Sequence, residues 1–212
     1  MTRGYTLSTL NYRTELVGFS HTMTNTRDII VNVSQKLFGR FGLNKTTVDE
    51  IAKLAHIGKG TIYHHFKSKE QIFAEIIAKE FGFLQRKIDE EVRIAETPQE
   101  KLRAFVLTRM RYLREVANYY SALKDDYLKH YSFIEQTRKE GFKAELNAVR
   151  AILDEGIKSR VFDINDPGLT AYAIIIALKG LEYPWTIEAS ISDIDRDANT
   201  LVNLLFKGIE RR

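Results

Sequence analysis

The sequence predicts an all-α protein, in which a small N-terminal three-helix domain built around a helix-turn-helix is joined to a larger helical domain. Three observations carry this. Apolar residues recur at helical spacing in one segment after another from Ile30 to Ile209. Between Thr46 and Lys69 two such segments are short and are separated by Gly58, the outline of two helices about a tight turn. The longer segments are bounded by start and stop signals at Gly42, Thr97-Pro98, Asp163 to Gly168 and Pro184.

In chain order, residues 1–22 show neither a helical period nor the apolar run of a signal peptide. They read as a disordered leader, whether an overlong start, an added extension or a basic arm in which Arg3 and Arg13 touch phosphate. Asn25 or Thr26 caps the first helix, whose stripe Ile30, Val33, Leu37, Phe41 ends at Gly42. In the second helix Val48, Ile51, Ala52 and Ala55 share a face, and Thr47 with Glu50 three residues on makes a capping box. Gly58 is expected to supply the left-handed backbone of the turn. The third helix covers about Lys59 to Phe66, with Ile62 and Phe66 inward.

This leaves Lys59, Gly60, Thr61, Tyr63 and His64 facing out, with no acid between Glu50 and Glu70. A face kept only for solubility would hold Glu, Lys and Gln. A cation, a hydroxyl, a phenol and an imidazole suit phosphates and base edges, and the second helix of such a pair enters the major groove. Thr46 and Thr47, where hydroxyls meet free N–H groups, are candidate phosphate ligands; so is Lys69, a cation set against the dipole of the helix it opens. Charge is distributed accordingly. Of a formal net +4 for the chain, residues 1–70 carry +5, from ten Lys/Arg against five Asp/Glu, and residues 71–212 carry −1. The plain alternative is a helical hairpin with a polar face.

The order Thr-Val-x-x-Ile-Ala-x-x-Ala-x-Ile-Gly-x-Gly-Thr-Ile-Tyr-x-His-Phe-x-Ser-Lys-Glu, from Thr47 to Glu70, resembles the DNA-binding signature of the TetR family of bacterial repressors. The likeness runs from about Thr26 to Ile77, and Met23 stands where a family member would begin. It implies a DNA-binding domain at 23–70 and a ligand-binding and dimerisation domain at 71–212, with the helix after Ser68 connecting ligand to DNA reader.

That helix keeps its period through Phe73, Ile76, Ile77, Phe81, Leu84 and Ile88 to about Ala95. Thr97-Pro98 opens the next, with Pro at the favoured first position. An aromatic stretch follows, and a further helix from Phe142 to near Arg160. Phe105, Tyr112, Tyr127, Tyr131, Phe142 and Tyr172 are candidate lining for a small apolar or aromatic ligand, although such stripes also serve as plain core. From Ala171 to Leu178 the chain is apolar all round, so the helix ending at Pro184 is central or packs on a partner. The last helix, about Asp193 to Ile209, carries two adjoining stripes. Ile175, Leu178, Leu201 and Leu205 are the expected dimer contacts.

The sequence has no Cys, hence no disulfide and no thiolate metal site. The five His make no metal spacing, and no nucleophile or phosphate-loop motif occurs. No apolar run reaches a membrane span. The expectation is a cytoplasmic, non-enzymatic regulator without cofactor or metal. It would be a homodimeric repressor on palindromic double-stranded DNA, released by a hydrophobic or aromatic effector. The alternative is a ligand-independent regulator or activator whose second domain only dimerises.

Overall fold

The computed structural model describes residues 25–113, 116–187 and 191–211, with only the backbone for 113, 117–135, 137–138, 183–187 and 191–192. The leader at 1–22 lies outside them. The described residues form the helices α1 (Thr26–Lys45), α2 (Val48–Ala55), α3 (Lys59–His65), α4 (Lys69–Ile94), α5 (Pro98–Leu113), α6 (Ala117–Lys158), α7 (Pro167–Ile187) and α8 (Ile191–Ile209). Their one β pairing is an isolated bridge between Phe162 and Glu210.

Local signals fix most helix starts. The Asn25 side chain accepts from Arg27 N–H and starts α1. The box at α2 is complete, with Glu50 N–H donating to Thr47 Oγ1 at 3.2 Å and Thr47 N–H to Glu50 Oε2 at 2.7 Å. Thr97 and Glu100 repeat it at α5. Ser68 caps α4, and Asp166 caps α7 by accepting from Leu169 N–H. Helix α1 passes its expected end. Gly42 takes a positive φ of 80°, open to glycine, and helical hydrogen bonding resumes to Lys45.

Three expectations are corrected. The left-handed residue of the helix-turn-helix is His56 (φ 55°, ψ 39°), whose N–H closes onto the Ala52 and Lys53 carbonyls. Gly58 is extended and serves as N-cap of α3. The turn needs one residue in that conformation, and His is among the residues that enter it more readily. The aromatic stretch and the helix after it are a single 42-residue helix, α6. Gly141 within it costs only about 1 kcal/mol against Ala. Finally, α7 continues beyond Pro184 to Ile187. Proline obstructs the turn before it and removes one hydrogen bond, leaving the residues after it free to stay helical.

Helices α1 to α3 pack as a small unit around Ile30, Phe38, Ile51, Ile62 and Phe66. The larger unit packs α4 on α5 and α6, α5 on α8, and α6 on α7. The core is continuous between the two. Helix α1 touches both α4 and α6. To α4 it is tied by an Arg27–Glu75 ion pair and by Gln35 Nε2 donating to the buried Glu80 at 3.2 Å. The Arg27 guanidinium also lies 4.5 Å from the centre of the Phe66 ring, so one side chain joins α1, the end of α3 and α4. Among the described residues no helix is long and apolar enough to cross a membrane.

Candidate functional site

Ile62 and Phe66, both buried, pin α3 to the small unit and turn its other side to solvent. Lys59, Gly60, Tyr63 and His64 are exposed there, and Thr61 is half-buried beside them. Tyr63 is 49% exposed, much aromatic surface for a chain to leave wet without use. Nothing lies within 4 Å of where a Cβ on Gly60 would stand, so no group of the chain requires glycine there. Lys59 Nζ donates to Asp49 on α2 at 3.0 Å, which raises its pKa and holds the ammonium at the α2–α3 edge. The pair is exposed and screened, so a phosphate competes for this lysine at small cost.

Thr47 is exposed, but its N–H and hydroxyl both donate to Glu50, holding that carboxyl below its ordinary pKa. Two expected DNA contacts are turned inward. Thr46 is 1% exposed, and its hydroxyl donates to the Gly42 carbonyl at 2.9 Å, which closes the end of α1. Lys69 Nζ reaches back to the carbonyls of Leu43, Asn44 and Thr46 at 2.8, 3.4 and 3.0 Å. The cation misplaced for its own helix is well placed for the C-terminal carbonyls of α1. This tether should matter without any DNA present. Lys69→Met is expected to lower unfolding stability by about 1.5–3 kcal/mol, the range for hydrogen bonds to a charged group, as read from urea midpoints.

In the larger unit a cavity of about 310 Å³ opens between α4 and α6. Phe81, Gly82 and Gln85 line it from α4, and Gly141, Phe142 and Glu145 from α6. Of the aromatic candidates only Phe142 is among the lining residues. Phe105 is sealed in the core. Tyr112 meets Phe83 edge-on, and the half-exposed Tyr172 meets Phe142 at 6.3 Å. The side chains of Tyr127 and Tyr131 lie outside the described residues. Behind the cavity is a buried cluster that the residue pattern gave no hint of. Arg109 of α5, fully buried, donates from Nε to Glu145 of α6 at 2.9 Å and from its terminal nitrogens to Glu145 and to Glu182 of α7.

The expected dimer contacts divide. Ile175 and Leu178 are wholly buried within this chain's own core and face no partner. Leu201 and Leu205 are half-buried at its edge. The apolar surface on offer is the opposite side of α7, where Leu169 is 64% exposed with Tyr172 and Ile176 beside it, and Leu204 of α8, 60% exposed.

Comparison with known proteins agrees with this geometry. The family model "Bacterial regulatory proteins, tetR family" matches residues 30–76, the whole of α2 and α3 with parts of their neighbours. The HTH-type transcriptional repressor KstR2 of Mycolicibacterium smegmatis is 31% identical over 141 residues, 64% of this chain and 67% of that protein. The chain belongs to the TetR family. A second relative, the HTH-type transcriptional regulator QacR of Staphylococcus aureus, is 27% identical over 88% of this chain and all of its own length. Among solved structures, the transcriptional regulator FadR from Bacillus subtilis in complex with stearoyl-CoA superposes with a TM-score of 0.66. It is 26% identical and covers 85% of this chain and 97% of its own. The protein is therefore a TetR-family transcriptional regulator with an N-terminal helix-turn-helix and a helical C-terminal domain.

Proposed function

We propose that this TetR-family regulator is a homodimeric repressor that reads a palindromic operator through α3 and leaves it when an apolar or aromatic effector occupies the α4–α6 cavity. The exposed face of α3 carries the reading: a cation, a phenol, an imidazole and a bare glycine, with the apolar side of the helix locked inward. Thr47, Lys59, Gly60, Thr61, Tyr63 and His64 are the contacts, Lys59 at a base edge and Tyr63 at phosphate. A twofold arrangement through the exposed sides of α7 and α8 sets two α3 helices about one DNA turn apart, roughly 34–36 Å or more on a wide operator. The likeness to a regulator solved with stearoyl-CoA supports an apolar effector, as do the aromatic walls of the cavity.

Gly60 separates a functional face from a merely polar one. Gly60→Ala should stabilise the fold by up to about 1 kcal/mol, since glycine is the poorer helix former and the added methyl meets nothing. It should also weaken operator binding, because that methyl occupies the space through which backbone approaches DNA. Tyr63→Ala should weaken all DNA sequences alike, and Lys59→Ala should cost about 1–3 kcal/mol and relax specificity. Anisotropy titrations at several salt concentrations read both. A stabler Gly60→Ala protein with undiminished operator affinity would remove α3 from the interface.

A further inference from the structure

We propose that the α4–α6 cavity takes an aromatic monocation, an aryl body bearing one quaternary or protonated nitrogen, with Phe81 and Phe142 against the aryl part and Glu145 and Glu140 facing the charge. This rests on the effector reading above and adds its charge class.

Among the described residues lining the cavity, the charged ones are Glu140 and Glu145, and none is basic. Glu145 is not an ordinary surface acid. It is 5% exposed and belongs to a cluster in which one guanidinium serves two carboxylates, leaving the buried group one formal charge negative. Buried charge is costly unless balanced, and a carboxylate accepts more hydrogen bonds than Arg109 supplies. The cavity abuts the cluster on the Glu145 side, so a cation there supplies the missing charge. An effector ending in carboxylate or phosphate would instead set like charges together in poorly solvated space. Phe81 and Phe142 add aromatic surface, which attracts cations. The basic groups nearby stand behind the walls: Arg109 beyond Glu145, Lys179 over the Phe142 ring at 5.1 Å, and Arg86 a turn from Gly82. At about 310 Å³ the space holds a compact aryl cation and lies at the lower end of ligand pockets.

The test uses three probes of one shape on the full chain: biphenyl-4-yltrimethylammonium, its neutral isostere 4-tert-butylbiphenyl, and biphenyl-4-carboxylate. Calorimetry reads binding and anisotropy reads operator release. The cation should bind at least about tenfold tighter than the isostere, the scale of one desolvated charge partner, and the carboxylate weakest. Glu140→Gln and Glu145→Gln should each weaken the cation severalfold and leave the isostere unchanged. Glu140 is exposed, so its variant keeps the test decisive if Glu145→Gln folds poorly. Gly141→Leu fills open space beside the cavity and should exclude all three. If the isostere or the carboxylate binds as well as the cation and releases DNA, the charge class is wrong and the effector reading stands. If the cation is preferred but operator affinity does not change, the site stands and the effector reading falls. Binding of none overturns the cationic site.

Discussion

Arg109→Met should destabilise the protein by about 3–5 kcal/mol, the cost of leaving buried carboxylates without their cation. Glu145 and Glu182 come from different helices, so the guanidinium between them joins α5, α6 and α7 at one point. Methionine fills similar volume but answers neither charge. Against a typical total of about 5–15 kcal/mol, that loss brings many domains to the edge of unfolding. A companion variant separates charge from packing. Arg109→Met combined with Glu145→Leu and Glu182→Leu should recover most of the stability, because an apolar set of like volume is often as good as a buried ion cluster. Urea midpoints of the wild type, the single and the triple variant decide it. A loss below about 1 kcal/mol in the single variant would mean that the carboxylates reach solvent and are not held by Arg109.

Ile176→Glu combined with Leu204→Glu should convert the protein to monomers and weaken operator binding by about 10²–10⁴-fold, the advantage of two linked half-site contacts over one. Both side chains are exposed on the single chain, so the substitutions leave the core intact, and circular dichroism should show unchanged helix. Together with Leu169 and Tyr172 they form apolar surface of the kind that marks an interface. Sedimentation equilibrium reads the mass and a gel shift reads the operator. A wild-type protein that sediments as a well-folded monomer at micromolar concentration would exclude the twofold arrangement.

What the sequence disclosed follows from the range of each signal. Thr47 with Glu50, Ser68 with Gln71, and Asn25 with Arg27 act across a few residues, so helix starts were legible. The inward turn of Ile62 and Phe66 was equally local. The turn residue was ambiguous because His56 and Gly58 stand two apart, and only the packing of α3 on α2 selects between them. Helix α7 is apolar on every side, so periodicity gave no indication that Ile175 and Leu178 go inward while Ile176 remains out. Arg109 and Glu182 are 73 positions apart, and nothing in either neighbourhood distinguishes a buried acid from a solvated one. The part of Lys69 was hidden for the same reason. Its partners are carbonyls at the end of another helix, and carbonyls leave no trace in a residue pattern.

The position of those carbonyls has a mechanical consequence. Helix α4, 26 residues long, is a rod of about 39 Å. It is held to α1 near its middle by Glu75 and Glu80, with Lys69 at one end and the cavity residues Gly82 and Gln85 beyond the other side of the hold. That is a seesaw. From the fulcrum the arms are each about 8–9 Å long, counting 1.5 Å per residue. With equal arms, a push of about 1 Å at the cavity arrives as about 1 Å at Lys69, in the opposite sense, and a hydrogen bond near 2.8 Å is lost beyond about 3.5 Å. The grip on the Leu43 carbonyl, at 2.8 Å, therefore fails before any helix of the bundle has to part from its neighbour. A guest need only be slightly too large for its space.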